Sequence, residues 1–359
     1  MRVPEYIKLL KPYVPGKPIK DLEKDLGVTG AIKLASNENP FGPSPRAMAA
    51  VRNALREVHR YPDGRGYDLK MALSRVLRVR PNTIILGNGS NEIIELLIRT
   101  FLTRGEEAVM GDPSFLVYDL AVRAAGGKSI RVPLKDFHYD IQRMKEKIGR
   151  KTRLVFFASP NNPTGTIVRR KPLEEFMRGL NDRVLCVLDE AYCEFVTDPE
   201  YPDSRTYIKK HKNIIGLRTF SKAHGLAGLR IGYGIAHEEI VSYLEKVRQP
   251  FNVNSLAQVA ARAALHDGDH VRKTVENNRK GLALLYSGIK KLGLEYVPSQ
   301  ANFLLVRVKN GWHVYEALLR KGVIVRPMDE YGLPEYIRVT VGLPRENQRF
   351  LTALERVIK

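Results

Sequence analysis

Between Thr219 and Tyr233 the chain reads T-F-S-K-A-H-G-L-A-G-L-R-I-G-Y, and Lys222 is its most reactive side chain. Ser221 precedes the lysine, and Arg230 closes the stretch before the next apolar run. Gly225, Gly228 and Gly232 permit close backbone approach around it. An amine flanked by a hydroxyl and a guanidinium suits a ligand that carries both a carbonyl and a phosphate. Pyridoxal 5'-phosphate is such a ligand, and a lysine joined to it as a Schiff base is an established form of covalent catalysis. A lone lysine is more simply a solvated surface residue. Here an apolar strand-like run at 214–217 leads straight into it, and residues upstream fit the same ligand.

The strongest of these is Asp189, which ends the apolar run V-L-C-V-L and begins D-E-A-Y. A carboxylate there can keep a pyridine nitrogen protonated, and so keep the ring an electron sink. Tyr192 lies three residues on and can reach the phenolic oxygen of the same ring, lowering the basicity of an imine beside it. The stretch Ser159-Pro160-Asn161-Asn162-Pro163-Thr164-Gly165 is a stiff loop after another apolar run. It is either a plain Asn-Pro turn or a mount for the Asn162 amide as a donor to an anionic oxygen. Gly87-Asn88-Gly89-Ser90-Asn91 follows an apolar run and opens a helix, where free N–H groups and the helix dipole make an anion site. Gly89, Ser90, Ser221 and Arg230 would together cradle a phosphate. Arg326 in V-I-V-R-P and Arg338 in Y-I-R-V-T-V-G are either surface strand arginines or forked receptors for carboxylate or phosphate.

Other phosphate motifs fail at particular residues. A dinucleotide fingerprint needs glycine at position 92, which is Glu92. Gly127-Lys128-Ser129 resembles the end of a P-loop, but Val122 stands where its first glycine belongs. Without a P-loop, the apolar-Asp-Glu run at 189–190 does not read as the metal-binding strand of an ATPase. The formal charge is +20, from 59 Lys and Arg against 39 Asp and Glu, and it favours anionic partners. The cations are spread along the chain with no zinc finger, RNA-recognition signature or basic arm, so small anionic substrates are expected rather than nucleic acid. No apolar run approaches a membrane span and no secretory leader is evident. Cys186 and Cys193 make neither a disulfide framework nor a metal cluster, so a cytoplasmic setting is expected.

The elements that must position these residues alternate. Apolar strand-like runs at 83–86, 108–110, 129–132, 154–158, 183–188, 214–217 and 231–235 are separated by helical patterns at 91–102, 114–125 and 173–180. This predicts a mostly parallel sheet with helices on both faces, and ligands at the carboxyl ends of its strands. Ser44 is a candidate N-cap, with Pro45 in the first turn of a helix to 58. Beyond 250 the pattern changes to long helices at 256–266 and 269–292, short strands at 302–307, 323–325 and 336–340, and a last helix at 346–358. The expected organisation is an arm at 1–35, broken by Pro4, Pro12, Pro15 and Pro18, a large α/β domain at 36–250 and a small α+β domain at 251–359.

The ordered set N-E-N-P-F-G, R-Y-P-D-G, G-N-G-S-N, S-P-N-N-P-T-G, D-E-A-Y, S-K-A-H-G-L-A-G-L-R, I-V-R and I-R-V-T-V-G resembles the histidinol-phosphate aminotransferase family along nearly the whole chain. The resemblance implies a fold-type I homodimer that binds pyridoxal 5'-phosphate and exchanges an amino group between L-histidinol phosphate and 2-oxoglutarate. It implies that Asn162 binds the phenolic oxygen of the cofactor, that Phe115 stacks on its ring and that Tyr61 reaches its phosphate from the partner subunit. It also implies that Tyr13 and Asn39 lie near the substrate, that Arg338 takes a carboxylate and that Arg326 lies near the substrate phosphate. Ser90 and Asn91 stand where this family often carries an Asp-Glu pair. Threonine-phosphate decarboxylases and aromatic amino acid aminotransferases share the cofactor motifs and are the alternatives.

Overall fold

The structure is a computed structural model and describes residues 2–359. The arm ends in β1 (Ile32–Lys33). The main sheet then takes β2 (Ile84–Gly87), β3 (Glu107–Asp112), β4 (Lys128–Pro133), β5 (Thr152–Ala158), β6 (Leu185–Asp189), β7 (Ile214–Thr219) and β8 (Gly232–Ala236), in the order β2-β8-β7-β6-β5-β3-β4. β3 to β7 pair in parallel, whereas β8 is antiparallel to both β2 and β7. An apolar run fixes a buried strand but not its direction, so the reversal of β8 is a feature of the structure alone.

Alternation along each strand shows why these runs are apolar throughout. In β5, Leu154 and Phe156 point into a core beneath the helices Ser90–Phe101, Leu116–Ala124 and Glu238–Val247. Val155 and Phe157 point the other way, into a core with Leu173, Phe176 and Tyr207. Both faces are covered, so neither residue set can be polar. Phe156, Phe157 and Val155 are all fully buried.

The second unit is built on β9 (Tyr296–Val297), β10 (Phe303–Arg307), β12 (Arg326–Pro327) and β13 (Tyr336–Thr340), an antiparallel sheet ordered β12-β13-β10-β9. β11 (Val323–Ile324) lies beside it and pairs in parallel with β1. The helices Gly268–Lys291, Gly311–Arg320 and Pro344–Ile358 close over this sheet around Leu285, Leu304, Val306, Ile337 and Phe350. The arm does not hang free. Its helix Ile19–Leu26 buries Leu22 completely against Ala35 at the end of the arm and Leu319 and Ile324 of this second unit. Helix Ser255–Leu265 packs with the first unit, placing Ala257, Ala260 and Ala261 beside Ala47, Leu69 and Leu73, although a boundary at 250 assigns it to the second.

Local signals were obeyed where they had room. Ser44 caps helix Pro45–Ala54 by accepting from the Ala47 amide at 3.2 Å, with Pro45 in the first turn. Among the described residues no helix is long and apolar enough to cross a membrane, and no group of His, Cys, Asp and Glu could hold a metal.

Candidate active site

The parallel register aligns three strand ends. Ala158 of β5 pairs with Asp189 of β6, and Asp189 pairs with Leu217 of β7. The Asn162 loop, the Asp189–Tyr192 segment and the Lys222 loop therefore all leave the sheet at one edge. They line a cavity of about 280 Å³ with the helix start at Gly89, Ser90 and Asn91. Phe115, Ser221, Arg230, Arg326, Arg338 and Tyr13 line it too. A larger cavity, of about 650 Å³ between Tyr139 and Tyr286, holds none of these residues.

At one end sits a cradle for an anion. Gly89, at φ 76°, is the N-cap of helix Ser90–Phe101, whose first amides, those of Ser90 and Asn91, have no partner within the helix and lie in the cavity wall. A Cβ on Gly89 would come within 2.7 Å of Arg230 Nη2, and one on Gly232 within 2.6 Å of the Ser90 nitrogen. The guanidinium, the helix N-terminus and the return strand β8 are thus packed too closely for side chains between them. Ser221 adds a buried hydroxyl, held by Thr219 Oγ1 at 3.0 Å.

At the other end is Asp189, which is buried. Tyr118 Oη donates to its Oδ2 at 2.7 Å and the Ala191 amide to its Oδ1 at 3.1 Å. Burial pushes the carboxyl up to about 6, with the Tyr118 hydrogen bond pulling against that rise. It remains mostly ionised at neutral pH and able to pair with a buried cation. Tyr118 stacks on Phe156 at 4.6 Å and meets Phe115 edge-on at 5.6 Å, which fixes the phenol that aims at Asp189.

Lys222 lies between these ends. Its Nζ donates to the Ser36 carbonyl at 3.1 Å and stands 5.6 Å from the centre of the Tyr192 ring. Desolvation, and secondarily the Arg338 charge, lower its pKa to about 8, toward a free amine. Burial pushes the Tyr192 phenol up to about 12, so it stays a donor. The amide of Asn37 donates to Tyr192 Oη at 3.0 Å, and Thr340 Oγ1 donates to Asn37 Oδ1 at 3.0 Å. Asn162 is held by Arg338, whose Nη1 donates to Asn162 Oδ1 and whose Nη2 donates to the Ala35 carbonyl at 2.7 Å.

Two expected residues lie elsewhere. Asn39 is buried outside the cavity, and its amide donates to the Ala223 carbonyl at 2.8 Å and to Thr274 Oγ1 at 3.0 Å. It braces the lysine loop from below. Its neighbour Gly42 does the same, since a Cβ on Gly225 would meet the Gly42 carbonyl oxygen at 2.2 Å. Tyr61 is outside the cavity of its own chain, 83% exposed and stacked on Phe251 at 4.8 Å. Sequence reasoning missed Asn37, Tyr118, Tyr331 and Ser36. Asn37 opens the N-E-N-P-F-G motif, whose signal could have found it, whereas Ser36, Tyr118 and Tyr331 touch the site from positions outside any quoted motif.

A cavity that offers a phosphate cradle at one end, an ionised buried carboxylate at the other and a deprotonation-prone lysine between them fits pyridoxal 5'-phosphate. A chain built this way is a fold-type I transaminase. Residues 29–354 match the profile of aminotransferase class I and II, and the chain belongs to that family. Within it the similarity is to histidinol-phosphate aminotransferases. Histidinol-phosphate aminotransferase 1 of Nitrosococcus oceani is 49% identical, covering 98% of this chain and 95% of the relative. That of Moorella thermoacetica is 49% identical over 99% and 92%. The crystal structure of the Sinorhizobium meliloti histidinol-phosphate aminotransferase, in complex with pyridoxal-5'-phosphate, superposes with a TM-score of 0.91 at 30% identity, covering 99% of this chain and 97% of that one.

Proposed function

We propose that the protein is a histidinol-phosphate aminotransferase that converts L-histidinol phosphate and 2-oxoglutarate to imidazole acetol phosphate and L-glutamate. The observation that carries this reading is the single cavity that joins the Lys222–Asp189–Tyr192 constellation to two buried arginines, Arg326 and Arg338. A transaminase for neutral amino acids needs one such cation for the carboxylate. A site with two suits substrates that carry a second anionic group.

Pyridoxal 5'-phosphate, when bound, supplies an electron sink for the bonds at the substrate Cα. Lys222 would anchor it and, as a free amine, would move the proton between the substrate Cα and the cofactor's aldehyde carbon. Its lowered pKa suits that work near neutral pH. Asp189 holds a proton at the ring nitrogen, steadied by Tyr118. Tyr192 and Asn162 donate toward the ring oxygen beside the reacting carbon. Gly89, Ser90, Asn91, Ser221 and Arg230 hold the cofactor phosphate, and Phe115 covers the ring. Arg338 takes the carboxylate of glutamate, and Arg326, with Tyr13 beside it, lies at the substrate phosphate.

The active form in this reading is a cytoplasmic homodimer, in which Tyr61 of the partner subunit reaches the cofactor phosphate. The exposed Tyr61–Phe251 stack supports this, since an aromatic pair of that size is more stable covered. Light scattering tests it, and a fully active monomer would remove the role of Tyr61.

The test of substrate is a visible spectrum of the purified holoenzyme, titrated with L-histidinol phosphate in the absence of keto acid. Conversion of the cofactor band to that of the aminated cofactor supports the reading. A band that is present but unmoved keeps the cofactor and refutes the substrate, and threonine phosphate and aromatic amino acids are then titrated in turn. No band after adding pyridoxal 5'-phosphate refutes the role of Lys222.

A further inference from the structure

Arg326 does not wait for its substrate as a bare cation. Its Nη2 donates to Glu330 Oε2 at 2.6 Å, and the Tyr13 ring lies 5.3 Å from the guanidinium carbon. The arginine side chain is 9% exposed and that of Glu330 36%, so a buried cation is neutralised by a more exposed carboxylate. Glu330 belongs to the one-turn segment Asp329–Tyr331, whose last residue, Tyr331, also lines the cofactor cavity. Behind it opens a second cavity of about 550 Å³ beneath the arm, lined by Glu330, Lys11, Arg123 and Arg131. A carboxylate that left Arg326 would therefore have room there and Lys11 to receive it, since Arg123 and Arg131 already pair with Asp119 and Asp112 of the same lining.

We propose that Glu330 is a counter-ion latch on Arg326, displaced by the substrate phosphate when it binds and restored when the product leaves. This rests on the reading that Arg326 meets the substrate phosphate. The latch keeps the buried guanidinium paired while the site is empty, where an unpaired charge is costly. It also sets a fixed penalty on every anion that binds there, because each must break the same ion pair. Phosphate, with nearly two charges and three acceptor oxygens at neutral pH, outcompetes one carboxylate, yet it is held more loosely than by a free arginine. Looser holding favours release, which an enzyme that admits two substrates in turn at one site requires.

The test uses the holoenzyme carrying Glu330→Gln, with three probes: L-histidinol phosphate, L-histidinol and inorganic phosphate. The first two are titrated against the cofactor band, and inorganic phosphate is assayed as an inhibitor of the reaction with glutamate. The half-saturating concentration of L-histidinol phosphate should fall about fivefold, the worth of one partly buried ion pair. The inhibition constant of inorganic phosphate should fall by the same factor, and L-histidinol, which has no anion to displace the latch, should be unmoved. Glu330→Asp, which keeps the charge on a shorter stem, should fall between. Constants that rise or stay level for both phosphate probes overturn the latch; a rise would mean that Glu330 instead orients Arg326. If wild-type enzyme ignores L-histidinol phosphate while the inorganic phosphate constant still falls in the variant, the proposed substrate fails and the latch stands.

Discussion

The Arg338 guanidinium, on β13, donates through Nη1 to Oδ1 of Asn162, on the loop after β5. Arginine has no acceptor, so this contact settles which way the Asn162 amide faces. Its oxygen is turned to Arg338 and its NH₂ is free to donate into the cavity. In the roles proposed for them, the residue that would receive the substrate carboxylate also orients a cofactor ligand, across the two units of the chain. The two roles should be inseparable by mutation. Arg338→Lys keeps the charge but loses the fork, and should lower kcat/KM for glutamate by roughly a hundredfold. Asn162→Ala should be costly by itself, yet the double variant should fall short of the sum by on the order of 1–2 kcal/mol in a double-mutant cycle. Strict additivity in steady-state kinetics would refute the coupling.

Lys222 gives a pH signature in the cofactor-free protein. Its folded pKa is about 8 against an ordinary 10.5. Between those values the unfolded chain binds more protons, so stability rises with pH there, and below about 8 the whole burial cost is present. Lys222→Met removes that cost. It should stabilise the apoprotein by about 2 kcal/mol at pH 7, after allowance for solvent screening and the lost Ser36 contact, with the difference gone by about pH 10.5. Urea unfolding at several pH values checks this. A variant less stable than wild type at pH 7 would contradict the lowered pKa.

Asp189 has the opposite sign. Its folded pKa is about 6 against an ordinary 3.8, so the folded state binds more protons between them and stability falls as pH rises through that window. Asp189→Asn should therefore raise apoprotein stability at pH 7 by about 2 kcal/mol, with no gain below about pH 4. The same change should cut transamination by several orders of magnitude, because a neutral amide cannot hold a proton at the ring nitrogen. Thermal unfolding across pH 4–8 and a turnover assay read the two effects separately. The site residues are thus placed against stability, as functional sites commonly are.

What the sequence reveals of this site follows from where each residue sits. Asp189 was legible because it ends an apolar strand run, and Asn162 and Lys222 because their loops follow two more such runs, whose ends in a parallel sheet converge on one edge. Gly89 was legible because a glycine before a helix has few other uses. Tyr118 was not, since an apolar-flanked aromatic in the first turn of helix Leu116–Ala124 reads as core, and only the fold shows its hydroxyl reaching Asp189. Asn37 opens the N-E-N-P-F-G motif, but only the fold shows that its amide, on a left-handed backbone at φ 56°, reaches Tyr192. Asn39 carries the opposite lesson. The family resemblance implied a place near the substrate, and in the fold the Asn39 amide donates to the Ala223 carbonyl and braces the lysine loop. Helix Gly311–Arg320 went unseen because Gly311 and Trp312 open it, although Asn310 caps it by accepting from the His313 amide.

The phosphate cradle admits a test that separates backbone geometry from side-chain chemistry. Gly89 adopts φ 76°, where an L side chain is strained by about 1 kcal/mol, and its Cβ would press on Arg230 Nη2 at 2.7 Å. Guanidinium tips move easily, so Gly89→Ala should fold. The displaced arginine and the reoriented Ser90 amide should nonetheless weaken pyridoxal 5'-phosphate binding by about tenfold or more, which is the worth of one charge-assisted hydrogen bond. Gly228, four residues before Gly232 in the lysine loop, is the control. A Cβ there meets nothing within 4 Å and its backbone is unstrained, so Gly228→Ala should bind the cofactor like wild type. Fluorescence titration of the two apoproteins with pyridoxal 5'-phosphate measures both constants. Equal affinities would mean that the cradle depends on the Ser221 and Arg230 side chains and not on the close approach of the helix N-terminus that Gly89 permits.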